Sequence, residues 1–357
     1  MKIHRALLYM VFGLGVTCTS QVASPQKPGS ADAATDPVRF ASGLRVFVLE
    51  HGEFWDAERV VDVLVRSHAN AIRADVGIYR GNVTMYPSVC LPPHPGLGSR
   101  NPLRELISEC KKHGIGVFPY NAFYNRMAPE THRLHPDWAS IRRDGSPMDI
   151  ACPNNPDYVR TYARACREII ETYEVAGMYF DGPGELPETR LPNGLVEHDY
   201  CFCRHCKGMY REKYGSDMPL DSALQYDPVF RRRMLEVFIR GTEFFTSEVV
   251  RAVKSVKNIP VLINMCDPVM RFIRHDAMAV SDGGLVAEIG RSTTFMEALA
   301  RLKVGKAFNK TAWCYCPIGP YGTIRPLAQQ LFPRGICRID PCPSAIQCHP
   351  GPAPEWS

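Results

Sequence analysis

The stretch Gly177-Met178-Tyr179-Phe180-Asp181-Gly182-Pro183-Gly184-Glu185 decides the fold. Met178, Tyr179 and Phe180 form a short apolar run, and the Gly/Pro spacing after Asp181 forces a loop. The run reads as a buried strand that delivers one carboxylate to that loop. Further on stands Cys201-Phe202-Cys203-Arg204-His205-Cys206, three thiols at a spacing that suits a metal. A carboxylate at a strand-to-loop junction, with a staple just beyond it, fits the rim of a parallel barrel.

Outward from Asp181, apolar runs alternate with amphipathic segments. Strands are predicted at 44–49, 70–76 and 115–120 before it, and at 261–264, 285–288 and 311–315 after it. Helices are predicted between them, the longest over 228–256. Strictly alternating strands and helices build a parallel sheet. No phosphate-cradling glycine loop follows the first strand, which disfavours an open doubly wound sheet. The fold class expected is α/β, a (β/α)8 TIM barrel. Seven units are visible, so the eighth is expected to be missing or aberrant and the barrel incomplete at its C-terminus. From Pro333 the chain runs Arg334-Gly335-Ile336-Cys337-Arg338-Ile339-Asp340-Pro341-Cys342 without visible periodicity.

Lys2, His4 and Arg5 precede an apolar run from Ala6 to Val16 and small residues to Ser20, the shape of a secretory signal peptide. Lipid attachment at Cys18 is the weaker alternative, because Gly15-Val16-Thr17 is a poor lipobox. The domain plan is a signal peptide over 1–20, a flexible linker over 21–40, the barrel over 41–332 and an irregular Pro/Cys-rich tail over 333–357. The expected location is secreted or periplasmic. A net charge of +5 without a basic run argues against a nucleic-acid partner. Fourteen cysteines in an exported chain would ordinarily mean disulfides. Cys110 and Cys166, however, fall at helical positions as small apolar residues, and Cys201 to Cys206 are too dense for an ordinary bridge framework.

In such a barrel the functional groups sit at the C-terminal ends of the strands. Those ends collect His51, Arg73, Asp75, Tyr120, Asn121, Asp181, Asn264, Glu288, Trp313 and Tyr315, with Glu185 in the adjoining loop. Rings that stack on sugar faces, beside amides and charges that bond hydroxyls, suit a carbohydrate ligand. Glycoside hydrolysis needs two carboxylates flanking the scissile bond. Asp181 is the candidate nucleophile, since Gly182 and Gly184 let a substrate approach. Glu288 is the candidate acid/base, since Val286 and Ala287 offer an apolar setting that raises a carboxyl pKa. Structural alternatives stay open: Asp181 as a loop cap, Glu288 as a barrel ion pair, with Glu185 as reserve acid. The three clustered thiols need a fourth ligand for tetrahedral zinc, either Cys152 or His205, and disulfides with Cys90 or with one another are the competing arrangement.

Residues 44 to about 325 resemble the barrel group called hypothetical glycosyl hydrolase 6. The resemblance is carried by His135-Pro136-Asp137-Trp138, Asp144-Gly145, Cys152-Pro153-Asn154-Asn155-Pro156-Asp157-Tyr158, Gly177 to Gly182, and Cys201 to Cys206. The chain is also similar to family 42 β-galactosidases in pairing a Cys-Pro-Asn segment with a later Cys-x-Cys-x-x-Cys, which implies a structural Zn2+ on Cys152, Cys201, Cys203 and Cys206. It departs from them at Asp181-Gly182-Pro183, where they carry an Asn-Glu acid/base. It is similar to family 29 α-fucosidases in its Phe-Asp-Gly context, which implies Asp181 as nucleophile. Together these imply hydrolysis of O-glycosidic bonds in an extracellular oligo- or polysaccharide, the alternative being an inactive carbohydrate-binding barrel.

Overall fold

The computed structural model describes residues 35–49, 56–122, 126–181, 188–190, 196–198, 200–221, 224, 226–265, 279–288, 299–303, 307–318 and 336–339. Eight parallel strands close into a barrel. They are β1 (Val46–Leu49), β2 (Ala71–Ala74), β3 (Gly116–Ala122), β4 (Met178–Asp181), β5 (Val261–Asn264), β6 (Gly283–Glu288), β7 (Thr311–Ile318) and β8 (Ile336–Ile339). Each pairs with its neighbours in sequence, and β1 joins β2 on one side to β8 on the other.

Alternation along the strands sorts the residues into two layers. Val46, Val48, Phe118, Tyr120, Ala122, Tyr179, Leu262, Leu285 and Trp313 cluster together in the barrel interior. Val117, Met178, Phe180, Val261, Ile263 and Val286 belong to the outer layer, packed with the helices. Those helices include α2 (Ala57–Arg66), α3 (Pro102–Lys112), α4 (Pro156–Thr172) and α6 (Pro228–Lys254). Gly177 opens β4 because no side chain fits there: a Cβ would lie 2.2 Å from the Phe118 ring. By the same alternation Asp181, two residues after Tyr179, belongs to the interior row at the C-terminal mouth.

Of the two expectations for the eighth unit, the strand is present and short. Its four residues pair in parallel with Tyr315–Ile318 of β7 and with Phe47 and Val48 of β1. It lies within 333–357, so the assignment of that whole segment to an irregular tail is corrected. Four residues between a glycine and Asp340-Pro341 carry too few alternations for a periodic pattern to show.

The linker boundary also shifts. Residues 37–42 form a short helix, α1 (Pro37–Ser42), with Pro37 in its first turn and the Asp36 side chain accepting from the Arg39 N–H. It closes the N-terminal mouth: Ala41 and Phe40 pack into the interior cluster, and the Val38 carbonyl accepts from the Thr311 hydroxyl at 3.1 Å. Among the described residues, no helix is long and apolar enough to cross a membrane.

Candidate active-site rim and thiol cluster

Asp181 ends β4 half-buried, and both of its oxygens are engaged. The Tyr120 hydroxyl donates to Oδ2 at 2.8 Å, and the Asn264 amide donates to Oδ1 at 2.6 Å. These partners come from β3 and β5, the strands flanking β4 in the sheet. Two donors from rigid strands fix the carboxylate's rotamer and height above the interior.

Beneath it lies a buried cation. Arg73 of β2 is 7% exposed, and its Nη1 pairs with Asp75 Oδ1 at 3.2 Å. The guanidinium carbon sits 3.9 Å from the Tyr120 ring centroid and 5.3 Å from that of Tyr179. Burial by itself would lower the Arg73 pKa. The facing Asp75, together with Tyr120, Tyr179 and Asp181, overcomes this and moves it upward, so the cation is permanent. Arg80 lies in the turn that follows the short strand Ile78–Tyr79, on the side of the barrel where Tyr120 sits; burial opposes its charge and Tyr120 favours it, with a net rise. Sequence reasoning missed Arg80 and Tyr179. Their signal was positional: Tyr179 stands two residues before Asp181, and Arg80 lies on the loop after β2.

Two residues expected to meet a ligand have structural places instead. Trp313 is 1% exposed in the barrel interior, stacked on Tyr179 at 6.3 Å and edge-on to Phe118 at 5.8 Å. Its indole N–H donates to the Ala41 carbonyl of α1 at 3.2 Å, so it belongs to the lower core rather than the mouth. Asn121 faces out of the barrel, since its neighbours Tyr120 and Ala122 face in. Its Oδ1 accepts from the Ile78 N–H at 3.0 Å, and its amide donates to the Pro119 and Tyr179 carbonyls. The backbone of Glu288 ends β6 and pairs with Tyr315 of β7. A bulge between Leu285 and Ala287 sets this register. The side chains of Glu288 and Tyr315, along with His51 and Glu185 entirely, lie outside the described residues.

The second site is a cluster of sulfurs. Cys152, Cys201, Cys203 and Cys206 bring their Sγ atoms within 4.8 Å of one another. Local sequence explains this placement. The antiparallel pair Ala139–Ile141 and Pro147–Ala151 delivers Cys152, and Asn155 then caps α4, its side chain accepting from the Asp157 and Tyr158 N–H groups. Cys203 is the N-cap of α5 (Arg204–Tyr214), so Cys203 and Cys206 flank that helix's first turn. The Phe202 N–H donates to the Ile141 carbonyl at 2.7 Å and holds the two segments together.

The Cys152 sulfur lies 3.5 Å from that of Cys206 and 3.6 Å from that of Cys203. Four thiolates around one zinc at about 2.3 Å stand about 3.8 Å apart, so the set fits a tetrahedral ion with little rearrangement. The Ile141 and Cys203 N–H groups donate to the Cys201 sulfur, both at 3.4 Å. Hydrogen bonds led by the one from Cys152 hold the Cys201 thiol well below its usual range and lower Cys203. The reciprocal contact with Cys201 pushes Cys152 up. Four close sulfurs thus share protons unless a cation replaces them. His205 is not in the ligand group. By contrast Cys110 is fully buried, and burial pushes its thiol to about 12, as for a structural apolar residue.

The fold has relatives among solved structures. The chain is similar to α-L-fucosidase isoenzyme 2 from Paenibacillus thiaminolyticus, with 16% identity over 83% of this chain and 45% of that one, at a TM-score of 0.58. It is similar to the PgaB (BpsB) glycoside hydrolase domain from Bordetella bronchiseptica, with 14% identity over 84% of this chain and 94% of that domain, also at 0.58. An α-galactosidase from Lactobacillus brevis aligns at 12% identity and a TM-score of 0.53, over 89% of this chain and 41% of that one. The chain thus spans less than half the length of the fucosidase. Among curated proteins no sequence matches. Residues 56–182 match the family model described as hypothetical glycosyl hydrolase 6, so the resemblance to that glycoside hydrolase family holds over the segment carrying Arg73, Tyr120, Cys152 and Asp181.

Proposed function

We propose that the protein is an exported glycosidase that hydrolyses O-glycosidic bonds of an oligo- or polysaccharide, with Asp181 as nucleophile and Glu288 as acid/base. The observation that carries this reading is the clamping of Asp181 between Tyr120 and Asn264 at the C-terminal mouth of the barrel. A carboxylate held from two sides on rigid strands keeps the attack geometry on which an oriented reaction depends. Glu288 is supported by its backbone position: its partner Tyr315 stands two residues after Trp313, in the row whose earlier member faces the interior.

In the reaction, Asp181 forms a bond to the anomeric carbon as the glycosidic C–O bond breaks. Glu288 gives its proton to the leaving oxygen, then takes one from the water that releases the sugar. Tyr120 and Asn264 hold the attacking oxygens in place, and Arg73 contributes fixed positive charge below them. The sulfur cluster fits Zn2+ held by Cys152, Cys201, Cys203 and Cys206. With four protein ligands the ion has no open position, and its contribution is structural: it ties the loop after β4 to the segment preceding α4. Residues 1–20 act as the export signal in this reading.

A panel of aryl glycosides tests it. Wild type cleaves at least one, and Asp181→Asn and Glu288→Gln each lose about 10³-fold or more in kcat/KM while melting like wild type. Equal cleavage by wild type and both variants would remove these residues from the chemistry.

A further inference from the structure

Asn154 lies between the sulfur cluster and α6, and the three groups around it define its orientation. Its side chain is 8% exposed. The amide nitrogen is 3.2 Å from the Cys206 sulfur and 3.4 Å from the Val237 carbonyl of α6. The amide oxygen is buried without a hydrogen-bond partner. On that side stands Gly241, one helical turn after Val237. A Cβ at Gly241 would lie 2.2 Å from the Asn154 Oδ1, so only glycine leaves the amide its place.

A side-chain amide can flip, but here the Val237 carbonyl selects the orientation, because the group that faces a carbonyl oxygen must be a donor. The same NH2 group therefore faces Cys206. An N–H donor stabilises a thiolate, and a metal-bound cysteine is a thiolate. We infer that Asn154 is an outer-sphere positioning residue of the metal centre, donating to the Cys206 sulfur while anchoring α6, with Gly241 as the gap that admits it. It rests on the reading that the four cysteines hold a metal. It adds α6 to the elements the centre joins, alongside the segment before α4 and the start of α5.

The experiment uses the full chain loaded with Zn2+ and follows metal release to a chromogenic chelator, with Co2+ substitution to read the thiolate-to-metal charge-transfer band. Asn154→Ala releases zinc about 10- to 100-fold faster than wild type. Asn154→Asp, nearly isosteric, is worse still, because it sets a second anion against the thiolate and a carbonyl. Gly241→Ala displaces the amide without deleting it and also accelerates release. A packing role alone predicts the reverse order, with Asp better tolerated than Ala and the cobalt band unmoved. That order, or release rates equal to wild type in all three variants, overturns the inference and leaves the metal site standing. A wild-type chain that takes up no zinc overturns both.

Discussion

Asp181 draws its partners from separate strands, Tyr120 in β3 and Asn264 in β5, and shows part of its surface to solvent. The sulfur cluster draws three of its four members from six consecutive residues and buries nearly all of them. The first site is held by the closed barrel, and its carboxylate stays partly open to solvent. The second is assembled by local chain geometry. In the proposed reading the difference separates chemistry from scaffolding: the candidate nucleophile rests on the stiff sheet, and the sulfur cluster, once it holds a metal, secures the loops around it.

The largest effect expected at the second site comes from Cys152→Ser. Cys152 is the member of the sulfur cluster contributed from outside the 201–206 segment, so in the proposed metal site its loss uncouples that segment from α4. A metal present at about a thousandfold above its dissociation constant stabilises the fold by about 4 kcal/mol. For a chain of this size that corresponds to roughly 5–7 °C in melting temperature. Calorimetry with and without chelator reads it: wild type drops on chelation, whereas the variant starts low and does not respond. Well below the transition, kcat should be nearly unchanged. A variant that keeps its melting temperature but loses turnover would erase the separation and place the cluster in the chemistry.

Tyr120→Phe probes the first site at smaller scale. A hydrogen bond to a charged group is worth about 1.5–3 kcal/mol, so kcat should fall by about 10- to 150-fold with little change in KM. The ring that packs against Tyr179 and Arg73 is retained, so the loss of melting temperature should be confined to that one hydrogen bond, about 2–5 °C for a chain of this size. A rise in KM with kcat intact would make Tyr120 a substrate contact rather than the clamp of Asp181.

What could be read from the sequence follows the same division. Cys201, Cys203 and Cys206 announce themselves because their spacing is local, and Asp181 does so because strand and loop meet within nine consecutive residues, Gly177 to Glu185. The barrel itself was visible in seven repeats of strand and helix. β8 was hidden by its four-residue length, and α1 by having fewer than two turns. Facing direction was the harder problem. Glu288 would fall on the opposite face from Leu285 under strict alternation, yet the bulge between Leu285 and Ala287 brings it into register with Tyr315. A bulge leaves no periodic trace. Trp313 looked like a stacking platform at a strand end, but β7 runs on to Ile318, which puts Trp313 near its beginning.

Asn121 tests that lesson most finely. Adjacent to Tyr120, it differs from it by one step of alternation, and that step turns it from the mouth to the outer wall. There it satisfies the Ile78 N–H and two carbonyls, in a position that is fully buried. Asn121→Leu removes those bonds while keeping the branched outline of the side chain, leaving a buried N–H and two carbonyls short of partners at a cost of about 1–3 kcal/mol. Denaturant unfolding should show that loss, and KM for any cleaved glycoside should stay at the wild-type value. A tenfold rise in KM with stability intact would mean that Asn121 reaches the ligand after all. It would also mean that alternation along β3 breaks one residue before Asp181's strand needs it, which would put the placement of Tyr120 in question together with it.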